Sequence, residues 1–158
     1  MKKALAILLI VVGMTTGLHA QSLEQGNSRF HAHGTYGLRW KNFGYGGGVE
    51  FFFVDNFAIM PSFTFLQPDV GKGSNFSMDL RYYISDGPSQ LFFLAGYSQS
   101  WQNTQPGDPG VRQSYKGANI GVGTYIRLVD WVGLNTEFRF QSQTPREAGF
   151  RFGLAFPL

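Results

Sequence analysis

The residues of this chain that can carry chemistry are arginines and carboxylates at every second position of alternating segments. They are Arg39, Glu50, Asp79, Arg81, Arg127, Glu137, Arg139 and Arg151. Because successive side chains of a β-strand point to opposite faces, this spacing puts the charges on one shared face. A buried charge is costly unless it is paired and hydrogen-bonded. We therefore predict a structural ion-pair network around Glu50, Asp79 and Glu137 instead of a catalytic carboxylate pair.

Histidines and a glycine run are the other candidate sites. His31 and His33 share a face, but two ligands without a third make a weak metal site, so we predict no metal and no other cofactor. The glycines at 44 and 46–48 resemble a phosphate-binding loop, but no helix follows to supply an N-terminus. We expect these glycines to make room for arginine and aromatic neighbours. No nucleophile–histidine–carboxylate triad is present, which predicts a protein that is not an enzyme.

The elements that must position these residues are β-strands, because apolar and polar residues alternate almost throughout 29–158. Eight alternating segments of about 9 to 11 residues have the length that a tilted strand needs to cross a bilayer. They are 30–40, 43–54, 57–66, 76–84, 91–101, 118–128, 132–140 and 150–158. The register of the fifth segment is ambiguous, since the apolar Phe92 and Leu94 lie on its otherwise internal face. Pro61 interrupts the third, where we expect a β-bulge.

Composition favours contact between the apolar face and lipid. Only 15% of the residues are charged, whereas a soluble domain has about 25%, and 16 residues are Phe. No segment after residue 20 approaches 18 consecutive apolar residues, which excludes a helical membrane protein. The absence of cysteine excludes disulfides and thiolate metal sites.

The first twenty residues have the three regions of a secretory signal peptide. The basic pair Lys2 and Lys3 precedes an apolar run, and a small residue, Ala20, ends the segment. We predict cleavage near Ala20, followed by a short periplasmic segment at 21–28 and a barrel domain at 29–158. Without the two lysines the formal charge falls from +3 to +1, so no nucleic-acid partner is predicted.

Connections of alternating length give a second signal. Tight turns at 54–57, 85–90 and 128–131 alternate with longer polar loops at 67–75, 102–114 and 141–148. Short periplasmic turns and longer outside loops are typical of outer-membrane barrels. Aromatic residues near the strand ends are predicted to form the two membrane-interface girdles. They are Trp40, Tyr45, Phe65, Tyr97 and Trp101 at the loop side, and Phe57, Tyr82, Trp131 and Phe156 at the turn side.

With eight alternating segments and an alternating apolar tail, the chain resembles the small outer-membrane β-barrel proteins of the OmpA-barrel and OmpX type over 29–158. The resemblance implies an all-β fold, a closed eight-stranded antiparallel up-and-down transmembrane barrel, located in the outer membrane of a Gram-negative cell. It implies contact with outer-membrane lipid and lipopolysaccharide, and recognition by the barrel-assembly machinery during biogenesis. The residues that would carry this assembly signal are Phe152, Leu154, Phe156 and Leu158. The chain departs from the family by ending in Pro157 and Leu158 instead of an aromatic residue.

Three functions remain open at this point. The first is a non-enzymatic cell-surface barrel whose loops contact extracellular partners or lipopolysaccharide, with Arg112, Lys116 and Arg146 available to anionic head groups. The second is a porin-like narrow passage for small apolar molecules. The third is a soluble barrel that buries the phenylalanines and binds a ligand inside, although its surface would then carry few lysines.

Overall fold

Eight antiparallel strands close into a barrel in which each strand pairs with the next and β8 returns to β1. The computed structural model describes residues 23–39, 41–68, 71–105, 111–144 and 146–158, without the side chains of Thr104, Gln105 and Arg112. The strands are β1 Ser28–Gly37, β2 Phe43–Val54, β3 Phe57–Gln67, β4 Lys72–Tyr83, β5 Ser89–Gln105, β6 Val111–Val129, β7 Val132–Gln141 and β8 Glu147–Pro157. The predicted closed eight-stranded barrel is confirmed. The predicted signal peptide and Trp40 lie outside the described residues. No helix in the described ranges is long and apolar enough to cross a membrane.

Strands extend into all three predicted long loops and occupy more than half of 67–75 and of 102–114. At one end of the barrel, which we call the loop end, residues 38–42, 68–71, 106–110 and 142–146 connect the strands, so each connection has four or five residues. The greatest extension is in β5 and β6, of 17 and 19 residues, whose ladder continues to the pair Gln105 and Val111. Both faces of this extension are polar, which hides the alternation that identifies a strand. We call the other end, with connections 55–56, 84–88 and 130–131, the turn end.

The two faces of the barrel have opposite chemistry. Large apolar side chains such as Phe51, Leu80 and Phe152 are exposed on the outside of the barrel. Inside, β4 buries Asp79 and Arg81, and the neighbouring strands bury charged and amide side chains. The ambiguous fifth register is resolved, because Phe92 and Leu94 are both buried inside. This orientation is the reverse of the soluble barrel considered from sequence.

The outside carries aromatic pairs near both ends. Tyr45 and Phe65 contact each other toward the loop end, with ring centroids 5.8 Å apart. Toward the turn end, the Phe57 and Tyr82 rings are 4.7 Å apart and Trp131 stacks on Phe156 at 6.4 Å. Trp101 is half-buried close to the loop end of β5. The tail positions Phe152, Leu154, Phe156 and Leu158 also face outward, with Phe156 partly covered by Trp131.

The segment before β1 folds across the turn end, which the sequence did not indicate. The backbone amide of Asn56 donates to the carbonyl of Leu23 at 2.9 Å, and that of Gly26 donates to Phe52 at 2.8 Å. These bonds hold the Leu23 side chain in a buried apolar cluster. The other members of this turn-end cluster are Phe52, Ala58, Tyr83, Phe92 and Leu94. The segment thus covers the barrel mouth with apolar packing.

Two local predictions were wrong. Pro61 causes no bulge, because β3 keeps one register with β4 from Phe57 to Leu66 and only the β2 ladder lacks pairs opposite it. The glycines of β2 make room mainly for neighbouring backbone and not for arginine or aromatic rings: a Cβ at Gly46 would overlap the Phe63 carbonyl, and one at Gly48 would lie 2.7 Å from that of Pro61. Adjacent strands approach closely here, as the strong curvature of a small barrel requires.

Candidate functional site: the ionic interior and the loop-end cavity

A chain of ion pairs crosses the middle of the barrel. Arg81 bonds Glu50 at 3.1 Å through Nη1 and Glu137 through Nη2. Arg139 contacts the second oxygen of Glu137 at 2.7 Å and Asp79 at 2.9 Å. These five side chains come from β2, β4 and β7 and are 0 to 5% exposed. The structure therefore brings together five of the eight charges predicted for the interior.

Neutral side chains complete the hydrogen bonding of these carboxylates. The Tyr83 hydroxyl donates to Glu50 at 2.6 Å, Asn119 donates to Asp79 at 2.9 Å, and Asn135 donates to Glu137 at 2.8 Å. Each acceptor thus has a neutral donor in addition to its arginine. These hydrogen bonds offset the desolvation cost of burying ionic groups in a low-dielectric interior.

Arg29 belongs to the interior although it was not predicted there. It is buried, its Nη1 lies 3.7 Å from Glu50, and its Nη2 donates to Gln90 at 2.9 Å. Its guanidinium also stacks 4.1 Å from the Tyr125 ring centroid and 4.9 Å from that of Phe52. Arg29 lies one residue before the predicted start of the first strand. Its place two residues before His31 on the same face was the signal that could have identified it.

Two arginines predicted for the interior lie outside the ionic chain. Arg39 is exposed, because β1 ends at Gly37, and its Nη1 donates to the carbonyl of Arg146 at 3.4 Å. Arg127 is half-buried near the turn end, where its backbone amide donates to Pro88 at 2.7 Å. Glu137 pairs with Gly123, four residues along β6 from Arg127. Alternation predicts the face of these residues but not their height along the barrel.

The two histidines lie in the interior and serve different partners. His31 Nε2 is 3.1 Å from Glu50, and His33 Nε2 is 3.0 Å from the Thr64 hydroxyl. Among the described residues, no three of His, Cys, Asp or Glu are grouped so that they could hold a metal ion.

Among the described residues, Arg151 is a buried cation that forms no ion pair with a carboxylate. It is 2% exposed, and within the described part of the chain its guanidinium has one hydrogen bond, from Nη1 to the Ser62 hydroxyl at 3.2 Å. A count of the buried charges explains why Arg151 lacks a carboxylate. Four arginines, at 29, 81, 139 and 151, face three carboxylates, at 50, 79 and 137, which leaves one positive charge. That charge is located at Arg151, because the other three arginines each contact a carboxylate.

Arg151 lines a cavity at the loop end of the barrel. The cavity has a volume of about 750 Å³, including the part open to solvent, and Arg139 also lines it. The Nε and Nη1 atoms of Arg139 and Nε of Arg151 are buried and have no hydrogen-bond partner within the described ranges. A second cavity, of about 540 Å³ including the part open to solvent, lies at the turn end beside Leu23 and Gln90. The ionic chain and the turn-end cluster lie between the two.

Exposed charge differs between the two ends of the described structure. Its loop end exposes five cations, Arg39, Lys41, Lys72, Lys116 and Arg146, and its described acid, Glu147, is half-buried. In the sequence, Arg112, Asp69 and Asp108 also belong to this part of the chain. The described turn end instead exposes Glu24, Asp55, Asp86 and Asp130. We call the loop-end cations the basic rim. Lys116 and Arg146, predicted to be available to anionic groups, are exposed there.

Solved structures with the same architecture exist at low sequence identity. The N-terminal β-barrel domain of Pseudomonas aeruginosa OprF aligns with a TM-score of 0.75 at 20% identity, covering 85% of this chain and 98% of that one. Neisserial surface protein A aligns with a TM-score of 0.63 at 12% identity, covering 82% of this chain and 94% of that one. The chain shares the fold of small outer-membrane barrels. No family model and no curated protein sequence matches it.

A third structure was solved with a bound ligand. Ail, the attachment invasion locus protein of Yersinia pestis, in complex with the heparin analogue sucrose octasulfate, aligns with a TM-score of 0.59 at 12% identity. The alignment covers 85% of this chain and 99% of Ail. At such identities the likeness establishes fold and leaves function to the residues of this chain.

Proposed function

We propose that this protein is a non-enzymatic barrel of the bacterial outer membrane, exported by a signal peptide at 1–20, whose loop end faces outward and contacts anionic partners. The observation that carries the membrane location is the orientation of the faces, with large apolar side chains exposed and ionic ones sealed inside. In water this arrangement would leave an apolar surface far larger than a soluble monomer tolerates. In a bilayer the same surface meets hydrocarbon, and closure satisfies the backbone of every strand.

The basic rim supports the choice of partner. Lipopolysaccharide and acidic polysaccharides both carry negative charge, and exposed Lys116 and Arg146 can contact phosphate or sulfate groups. The loop-end connections are only four or five residues long, so the contacting surface consists of hairpin ends that need little ordering on binding. Ail, with a heparin analogue bound, is a precedent for an anionic ligand on this fold.

The location and orientation can be tested together with cysteine labelling, since the chain contains no native cysteine. Lys116→Cys at the loop end and Asp55→Cys at the turn end are matched single changes at exposed positions. On intact Gram-negative cells, a membrane-impermeant maleimide is expected to label Lys116→Cys, and to label Asp55→Cys only after lysis. The reverse pattern would overturn the orientation. A detergent-free, monodisperse and folded protein in plain buffer would overturn the membrane location.

The partner can be tested with vesicles of defined composition. The folded protein is expected to associate with lipopolysaccharide more strongly than with zwitterionic lipid, and increasing salt should weaken the difference because exposed charges are screened. Lys116→Gln combined with Arg146→Gln should reduce this preference, whereas Asp55→Asn combined with Asp86→Asn at the turn end should not. Equal preference in both double variants would remove the basic rim from the proposal.

A further inference from the structure

The loop-end cavity has the features of a binding site, and we propose that it binds an acidic sugar unit whose anionic group pairs with Arg151. This rests on the proposed function, because it takes the loop end to face the medium. Arg151 supplies the first argument. A guanidinium that is 2% exposed and bonded to one serine hydroxyl lacks the counter-charge that a buried cation needs.

The cavity itself supplies the place for that counter-charge. Arg151 and Arg139 both line it, and among the described residues Nε of Arg151 and Nε and Nη1 of Arg139 have no acceptor. A carboxylate or sulfate offers two oxygens to a guanidinium, so it can supply the acceptor and the negative charge that Arg151 lacks. Arg139 is already neutralised by Asp79 and Glu137, so Arg151 provides the unbalanced charge.

The remaining wall favours a ligand that is rich in hydroxyl groups. Asn75 donates to the Ser100 hydroxyl at 2.6 Å, and Ser100 donates to Gln143 at 2.7 Å. All three are buried and line the cavity, together with Gln141 and Tyr115. Gln143 continues the chain to Ser98 at 2.5 Å, which fixes the wall to the interior. Preorganised amides and hydroxyls beside an aromatic ring are complementary to a sugar, which has hydroxyls at its edge and apolar C–H faces.

Glu147, the one acid among the described residues that line the cavity, is held away from its floor. Glu147 begins β8, and its carboxylate packs where a Cβ of Gly37 would be, at the loop end of β1. Arg151 is four residues further into the barrel on β8. The acid therefore belongs to the mouth, and the arginine belongs to the floor. An anionic ligand enters past the basic rim, which concentrates it at the opening.

Nuclear magnetic resonance of the folded protein in detergent micelles tests this directly. D-Glucuronate is the probe, with D-glucose and sodium sulfate as separate probes at matched ionic strength. We expect glucuronate to shift resonances of Arg151 and its neighbours with a Kd of about 1 mM, as a single sugar unit allows. Glucose and sulfate should each bind at least about tenfold more weakly. No shift with glucuronate, or equal binding of sulfate, would overturn the proposal.

Matched variants separate the site from general charge. Arg151→Gln should weaken glucuronate binding at least about tenfold, and Arg151→Lys should weaken it less because the charge remains. Arg127→Gln removes the same charge near the turn end, outside both the cavity and the basic rim, and should leave binding unchanged. Equal losses in Arg151→Gln and Arg127→Gln would overturn a specific site. Heat-modifiable gel mobility checks that each variant is folded.

Two sources of acidic sugars are distinguished by two further probes. Heparin disaccharide represents polysaccharide of another cell, and delipidated lipopolysaccharide core represents the membrane in which the protein resides. Binding of either that depends on Arg151 supports the site and identifies its source, whereas binding of neither contradicts it. These titrations use purified protein, so their failure leaves the cysteine-labelling result, and with it the proposed function, intact.

Discussion

Single residues determine how the interior of the barrel tolerates charge. Glu50 accepts from Tyr83 and contacts Arg81, His31 and Arg29, so one carboxylate compensates several donors. Sequence alternation was enough to place Glu50 and Arg81 inside, because the face of a strand residue depends only on parity. It could not show which charges meet, because height in the barrel depends on strand register. Arg29 and Arg39 show this limit, since both lie near strand ends that alternation locates poorly.

Glu50→Gln is expected to destabilise the folded barrel by about 3 kcal/mol. The change leaves Arg29 buried without its carboxylate partner, and it removes one of the two carboxylates that contact Arg81. Urea unfolding from lipid vesicles measures the change in the free energy of unfolding. Glu24→Gln, an exposed change of the same chemistry, should stay within about 0.5 kcal/mol. Equal unfolding midpoints for the two variants would show that the ion-pair chain contributes nothing to stability.

At the scale of strands, the barrel is shaped by close approach and by extended pairing. Strand number and the inward or outward face of most strand residues followed from sequence, because each strand has an apolar face and a polar face. The extensions of β5 and β6 did not, since residues 102–105 are all polar and residues 113–115 lack alternation. The cover formed by Leu23 was missed for another reason. A single apolar residue in a polar segment has no period.

Gly46→Ala tests the close approach of β2 and β3. A methyl group at Gly46 would overlap the Phe63 carbonyl, so the strands must separate, and we expect a loss of about 1 to 3 kcal/mol. Gly47→Ala is the matched control on the outer face. There a Cβ would lie 3.1 Å from the His31 carbonyl, which requires a smaller adjustment. In the same urea titration, the free energy of unfolding should be clearly lower for Gly46→Ala than for Gly47→Ala. The opposite order would contradict the packing.

Leu23→Ala tests the segment that covers the turn end. Leu23 is buried at the rim of the turn-end cluster, so we expect a loss of about 2 kcal/mol, at the low end for a buried leucine. Amide hydrogen exchange should become faster at Asn56, whose N–H donates to Leu23. Gln25→Ala, an exposed change in the same segment, should leave that amide protected. Unchanged exchange in Leu23→Ala would mean that backbone bonds alone hold the segment.

The whole molecule is a closed cylinder whose interior is filled along most of its length. The ionic chain and the turn-end cluster separate the loop-end and turn-end cavities. Eight strands leave an interior only wide enough for side chains. The sequence predicted this architecture, but it left the functions of surface protein and of passage for small molecules as alternatives. The packing of particular residues, Leu23 and Arg81 among them, favours the first.

The closed interior predicts that the folded protein gives no steady conductance steps in planar bilayers. The double variant Arg81→Ser with Glu137→Ser removes the central ion pair and its side-chain volume, and is expected to give measurable steps. Lys116→Ser with Asp55→Ser removes an equal number of charges from exposed positions and should remain silent. Steady channels in the unsubstituted protein would support the passage function in place of the surface function.

The pairing of β1 with β8 has a consequence for how the protein is made. Arg29 is opposite Pro157 in this ladder, so partners separated by 128 residues must pair before the free edges of β1 and β8 are protected. Contacts of such long range are slow to form. The barrel therefore cannot close until nearly the whole polypeptide has been synthesised. Until then its apolar strand faces and unpaired edges are exposed, a state that is prone to aggregation.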